Sequence, residues 1–368
     1  MRIKRKDWSL LDGSKLYSEY NEYIKSKATQ SNYRRVLILF LSDVKLSFDE
    51  VVDLGKKDSD AFAVLVKEYV LRLKARYAEE KLSGSSVLNY TKPIRLMTDV
   101  FDIHFNWKKL NRILPYSRKA SRDSLPPLDD IRKMYDVGDQ RIKFILSTMV
   151  SGGLRVGAWS YLDVEDITSI ERYGQVVAGK VVAYRGFREQ YFTFISPEAW
   201  RNFNDYLDMR RKAGEVITDK SPALGKVQLV SKPHLAPMEP KDMRLTLDGI
   251  RSIFHRAYLK VGLRWEGRRN ERYNYKMLHG FRKFFKTNCE QVMKPINVET
   301  LLGHSIGISD SYYRPTEENL LDDYLKAIPL LSISVEEKLQ KEMAKREELE
   351  QNMSVLIQRI SNLEAKLA

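Results

Sequence analysis

The sequence predicts a mainly α-helical protein with a small antiparallel β-sheet in its second half. Through the first 115 residues apolar side chains recur at helical spacing, and no alternating pattern interrupts them. Only between 175 and 195 does the chain turn β-branched and aromatic. Helical periodicity then resumes, and beyond residue 330 it tightens into a repeat of seven.

Residues 1–115 form the first predicted domain, an all-α bundle of about four or five helices. Tyr17, Tyr20, Tyr23 and Ile24 mark its first helix, and Tyr33, Val36, Leu37, Phe40 and Leu41 mark the second. Thr29 or Ser31 is the expected N-cap between them. A third run covers Phe62 to Tyr77, and a fourth runs from Val87 to Phe105, opened by Ser83-Gly-Ser-Ser86. Residues 116–127 are basic, polar and closed by a double proline, which reads as an interdomain linker.

The second domain, 128–330, opens with helices near Leu128 to Asp136 and Gln140 to Met149. Strands Gln175 to Tyr184 and Tyr191 to Ile195 flank a turn at Arg185-Gly-Phe-Arg-Glu189, so α and β are mixed here. Pro-rich loops follow near 233–240. In 331–368, Leu349, Leu356 and Leu363 fall seven apart, and Leu339, Met353, Ile360 and Leu367 complete the seam. Glu342 and Arg346 break it. A short C-terminal coiled coil or partner-binding helix is expected, the alternative being a helix folded back on its own domain.

A chain of 368 residues can bury two cores. No uncharged apolar run is long enough for a membrane span, and no apolar signal core follows the basic N-terminus. The single Cys289 excludes an intrachain disulfide and a thiolate-rich zinc site. A cytoplasmic protein is the simplest reading. The net charge is +14, with 24 Lys/Arg against 15 Asp/Glu in residues 1–120 and 33 against 27 in 121–330. Such a surface suits a polyanion, because neutralised phosphates release counterions, although a merely soluble basic protein would share the charge. Carboxylates do not cluster with histidine at ligand spacing, which disfavours metal-dependent nuclease chemistry. His104, His234 and His255 read as structural or surface residues.

Three short stretches carry chemical potential. His279 and Arg282 lie three apart in a helical run, so both point to one face, and an imidazole beside a guanidinium can grip a phosphate. In Glu299-Thr-Leu-Leu-Gly-His304, Gly303 can end a helix in a left-handed C-cap, leaving His304 at the turn with Tyr313 nine residues on. In Ser151-Gly-Gly-Leu-Arg155, two glycines allow a tight backbone before a helix with Arg155 near its start. Taken singly, each is more often ordinary structure than a site.

In this order the three resemble the tyrosine recombinase (phage integrase) family, over about residues 20–330: Gly153-Leu-Arg155, His279-Gly-Phe-Arg282, Leu302-Gly-His304 and then Tyr313. The first domain is similar to that family's core-binding domain, notably at Asn32-Tyr-Arg-Arg35. Tyr184-Arg-Gly and Tyr312-Tyr-Arg-Pro resemble integrases of archaeal viruses and plasmids. The resemblance implies a DNA integrase of a mobile element that cuts and rejoins double-stranded DNA through a 3′-phosphotyrosine, without metal or small-molecule cofactor. It implies a homo-oligomer, a tetramer on two duplexes, to which the C-terminal seam would add contacts. Tyr313 would be the nucleophile, with Tyr312 the alternative and otherwise packed inward. Arg155 and Arg282 would hold the phosphate, and His279 and His304 would supply hydrogen bonds or move protons. Two departures stand out. Ala158 occupies the position of a supporting glutamate. Where the family has a catalytic lysine in a strand turn, this chain offers Arg185 and Arg188, with Lys180 earlier on the strand. Lys180 and Arg185 are the candidates, although an arginine is a poor proton donor. A type IB topoisomerase or a non-catalytic DNA-binding protein are the rival readings.

Overall fold

The computed structural model describes residues 9–116, 125–226, 243–263, 277–307 and 312–334, together with 353, 354 and 357. These fall into two compact units, one of residues 9–116 and one of the described residues from 125 onward.

The first unit is all-helical: α1 (Lys15–Glu22), α2 (Lys27–Val44), α3 (Phe48–Lys57), α4 (Ser59–Ala78), α5 (Gly84–Val100) and α6 (Trp107–Asn111). Each begins at a Ser, Asp or Asn whose side chain accepts an otherwise orphaned N–H. The cap of α2 is Ser26, not Thr29 or Ser31. Lys27 and Ala28 are both good helix formers, so the helix starts as soon as the serine allows. Helix α3 has a short apolar face, too short to stand out as a periodic run in the sequence. Its start is nevertheless marked by a capping box, with Ser47 and Glu50 each bonding the other's backbone. Six consecutive residues of α2, Val36 to Leu41, are buried. The second half of this helix is therefore covered on all sides, which explains its near-continuous apolar run, while Lys27, Ala28, Ser31, Asn32 and Arg35 before it are exposed.

The second unit comprises α7 (Leu128–Asp136), α8 (Gln140–Gly152), β1 (Ile167–Arg172), β2 (Gln175–Ala183), β3 (Tyr191–Ile195), α9 (Pro197–Lys212), α10 (Leu247–Lys260), α11 (Met277–Cys289), α12 (Pro295–Leu301), α13 (Glu317–Leu325) and α14 (Ile328–Leu331). The sheet is antiparallel in the order β1-β2-β3, with Ile167 opposite Val181 and Ala183 opposite Tyr191. It has one strand more than expected. In β1 only Ile167 is fully buried, so its sequence carries little strand signal. Tyr173 and Gly174 join β1 to β2, both at positive φ as a tight two-residue hairpin requires.

Helix α8 is buried from Phe144 to Gly152 and runs through the core, three residues beyond its expected end. Two glycines make its close possible. A Cβ on Gly152 would lie 2.8 Å from Ile195, and one on Gly153 would lie 2.5 Å from Phe285. Gly153 also adopts φ 59°, which glycine tolerates best. The helix end is thereby wedged between β3 on one side and α11 and α12 on the other. Arg155 follows, not near the start of a new α-helix as expected, but capping a short 3-10 turn, Val156–Ser160. Ala158 in that turn is fully buried.

The unit closes at its carboxyl end on Glu198 of α9. That buried carboxylate accepts from the backbone N–H groups of Ile333 and Ser334, both at 2.9 Å. The predicted coiled coil lies outside the described residues, except that Met353, Ser354 and Ile357 are helical and exposed. No described helix is long and apolar enough to cross a membrane.

Candidate active site

Arg155 and Arg282 come together where α8 and α12 end. Arg282 projects from α11, whose Phe281, Phe284, Phe285 and Cys289 are buried, and it is itself 5% exposed. Its Nη1 donates to the carbonyl of Gly153 at 2.6 Å, and Nη2 donates to the carbonyl of Leu302 at 2.5 Å. Arg155 donates through Nη2 to the carbonyl of Gly303 at 2.6 Å. These acceptors are carbonyls at helix ends, where the macrodipole is negative. Burial holds the Arg282 guanidinium below its ordinary pKa. Among the described residues neither arginine pairs with a carboxylate. Arg155 is half-buried and, among the described residues, uses one of its five side-chain N–H groups on a protein acceptor. Two adjacent cations with donors to spare make a site for an oxyanion.

Tyr191, the first residue of β3, holds the pair in place. Its ring lies 5.2 Å from the Arg155 guanidinium, and its hydroxyl accepts from the Arg155 backbone N–H at 3.4 Å. Its phenol also favours the charged form of the Arg282 guanidinium. Gly303, at φ 61° as its expected C-cap role requires, abuts this ring so closely that a Cβ would meet it at 2.4 Å.

His304 completes the cluster. Arg282 Nη2 lies 2.8 Å from His304 Nε2. Arginine can only donate, so Nε2 is the acceptor and the ring proton sits on Nδ1, facing Glu299. Glu299 is held in turn by Lys286. Burial raises the Glu299 pKa, but the hydrogen bonds from Lys286 and His304 outweigh it and the net shift is downward. Lys286, Glu299, His304 and Arg282 therefore form a chain of hydrogen bonds with fixed proton positions.

The other predicted residues stand apart from this cluster. The Tyr313 hydroxyl donates to Asn297 Oδ1 at 2.6 Å, within a cleft that includes Lys294, Asn319 and Asp323. Asn297 is buried and donates to Asp323 at 2.8 Å. Tyr312 does not pack inward as expected: it is 85% exposed, because Tyr313 is the one that finds a buried hydroxyl acceptor. Lys180 pairs with Glu317 at 2.5 Å and lies over Phe192. Arg185 pairs with the buried Asp166. Neither Lys180 nor Arg185 bonds any member of the arginine cluster. His279 is exposed, one turn before Arg282 on α11. His104 and His255 are exposed, as expected, and His234 lies outside the described residues. Among those residues no group of three or more His, Cys, Asp or Glu side chains is placed to hold a metal ion.

Tyr191, Glu299 and Asn297 were not singled out from the sequence. Only Glu299 carries a local signal, five residues before His304 on a helix that ends between them. Tyr191 and Asn297 reach their partners through tertiary packing alone.

A mostly helical chain whose three-stranded antiparallel sheet lies beside these helices has the fold of the tyrosine recombinases. Among solved structures it is similar to the Tn1549 transposon integrase in complex with circular intermediate DNA. That match has 16% identity and a TM-score of 0.51, and it covers 85% of this chain and 97% of that one. The XerA recombinase matches at 18% identity and TM-score 0.37, covering 84% and 96% of the two chains. A lambda integrase dimer bound to a COC′ core site matches at 14% and 0.49, covering 84% and 95%. The sequence matches no protein-family model and no curated protein.

Proposed function

We propose that the protein is a site-specific DNA recombinase of the integrase type, acting on double-stranded DNA through a 3′-phosphotyrosine intermediate. The observation that carries this reading is the pair of guanidinium groups, Arg155 and Arg282, held on main-chain carbonyls and paired with no carboxylate among the described residues. In the proposed reaction they bind the non-bridging oxygens of a scissile phosphate and stabilise the charge that builds on it. Tyr313 Oη attacks phosphorus, the bond from phosphorus to the 5′-oxygen breaks, and the tyrosine proton passes to a base. The departing 5′-oxygen takes up a proton. A 5′-hydroxyl from a second strand reverses the step, so the covalent intermediate conserves the bond energy without a metal or nucleotide.

His304, with both ring nitrogens engaged by Arg282 and Glu299, orients the Arg282 guanidinium toward the phosphate, and the exposed His279 is the proposed proton acceptor. Lys180 and Arg185 are neutralised by carboxylates where they stand, so the donor to the 5′-oxygen is assigned to neither. Tyr313 must leave Asn297 to reach the phosphate, a hydrogen bond whose loss costs about 0.5–1.5 kcal/mol. Work inside the cell, as a tetramer on two duplexes and in the service of a mobile element, belongs to the same proposal, as does an archaeal virus or plasmid source.

The test is denaturant-resistant protein–DNA adducts on a pool of duplexes. Tyr313→Phe is expected to abolish adducts while leaving DNA binding near wild type, and Tyr312→Phe to retain them. Adducts that persist in Tyr313→Phe and vanish in Tyr312→Phe would reassign the nucleophile. Adducts absent from the wild type on every duplex would reject the reading.

A further inference from the structure

A row of aromatic rings leads from solvent to the arginine pair. Phe187 and Tyr161 stand edge to face at 4.9 Å, Tyr161 lies 5.4 Å from Tyr184, and Tyr184 lies 6.2 Å from Tyr191. The row ends under Arg155. At its outer end Phe187 is 52% exposed and Tyr161 47% exposed. Single exposed aromatics are ordinary on a protein surface. Two in contact, continuous with a cationic site, are not explained by the core.

The turn that presents Phe187 is built to stay put. Its N–H donates to the Tyr184 carbonyl at 3.0 Å, its carbonyl accepts from Gln190 N–H at 3.1 Å, and Gln190 Oε1 accepts from Gly186 N–H at 2.7 Å. Arg185 is pinned to Asp166. Tyr184 itself sits at φ 57°, a left-handed conformation that costs a tyrosine energy and that here heads a turn between two strands. Beside Phe187, Arg188 is exposed and has no ion pair among the described residues, with Glu189 the one carboxylate of the turn. Cations interleaved with rigid, exposed rings suit a ligand that has both phosphates and flat π-faces.

We infer that Phe187 and Tyr161 form a stacking platform for an unpaired nucleobase beside the phosphate held by Arg155 and Arg282. The inference rests on the DNA-cleaving reading above and adds a contact to the bases themselves. Stacking of a base on an aromatic side chain needs no sequence-specific hydrogen bond, so the platform would stabilise local unpairing at the cut rather than read the site.

The test uses two duplexes of one sequence, one continuous and one with a short gap that leaves 5-iodouracil unpaired. The wild type is expected to bind the gapped duplex more tightly, and ultraviolet light to join iodouracil to Phe187 or Tyr161. Phe187→Ala is expected to remove the preference, about tenfold for one stacked base, while leaving affinity for the continuous duplex unchanged. Phe187→Trp is expected to restore it. Equal affinity of the wild type for both duplexes, or cross-links confined to other residues, would overturn the inference. So would a Phe187→Ala variant that loses affinity equally for both, the mark of a ring that serves general docking or a protein partner. Failure to bind either duplex would instead reject the DNA-cleaving reading, and the inference with it.

Discussion

Replacing Arg282 by lysine keeps the charge and removes the fork, and this separates what the guanidinium does for the fold from its proposed part in the reaction. In the structure its two Nη atoms serve three acceptors, the carbonyls of Gly153 and Leu302 and the Nε2 of His304, at 2.6, 2.5 and 2.8 Å. One ammonium nitrogen on a flexible stem cannot serve three acceptors spread around a plane. About two would lose their donor, and a buried acceptor left without one costs roughly 1–3 kcal/mol. Backbone carbonyls at helix ends relax more easily than most, so the expected loss is about 2–4 kcal/mol. For a unit of this size that lowers the unfolding midpoint by about 5–15 °C. Loss of a preorganised donor to the transition state costs about 2.7–4 kcal/mol, or roughly a hundred- to a thousand-fold in rate. Adduct formation on a nicked duplex, followed by denaturing gel well below the melting range of Arg282→Lys, measures the second effect free of the first. A variant that melts lower but forms adducts within about threefold of the wild-type rate would refute the assignment of Arg282 to the phosphate.

Gly153→Ala must adopt φ 59° and place its Cβ 2.5 Å from Phe285, so a loss of about 2–5 kcal/mol is expected by denaturant titration. Unchanged stability would show that α8 does not end as described. Glu299 has a lowered pKa in the fold, so its contribution is fully present above the ordinary carboxylate value and is lost as pH falls through the lowered one. Glu299→Gln should therefore flatten the decline of melting temperature with acid, and parallel wild-type and variant curves would contradict the pairing with Lys286 and His304.

Four of the six helices of the first unit were legible, because they bury long apolar faces, although the cap of α2 was placed three to five residues late and α6 is too short to show a period. Helix α3 shows how a ten-residue helix with four buried positions can be missed even when Ser47 and Glu50 announce it. The strand β1 was missed for a related reason: an edge strand with one fully buried residue has no alternation to read. In the site, Gly153, Arg155, Arg282, Gly303 and His304 were named from their local motifs, and the fold brings them together. Lys180 and Arg185 were chosen by position along a strand and turn. Position along the chain says nothing about the carboxylates, Glu317 and Asp166, that approach them from elsewhere. The exposure of Tyr312 was likewise unreadable, since which of two adjacent tyrosines turns inward depends on Asn297, a residue on another helix.

Glu198 sits two residues into α9 and grips the backbone of Ile333 and Ser334. The carboxylate is a cleat at the domain's exit. Pull applied beyond Ser334 meets the two main-chain bonds to Glu198 and the bond from Arg132 Nε to the Ile333 carbonyl before it reaches the rest of the unit. The same feature dictates where the chain can be shortened. A protein ending at Ser334 keeps both donors on Glu198. One ending at Leu331 leaves a carboxylate buried with its acceptors empty, and would lose stability for a reason unrelated to anything the tail binds.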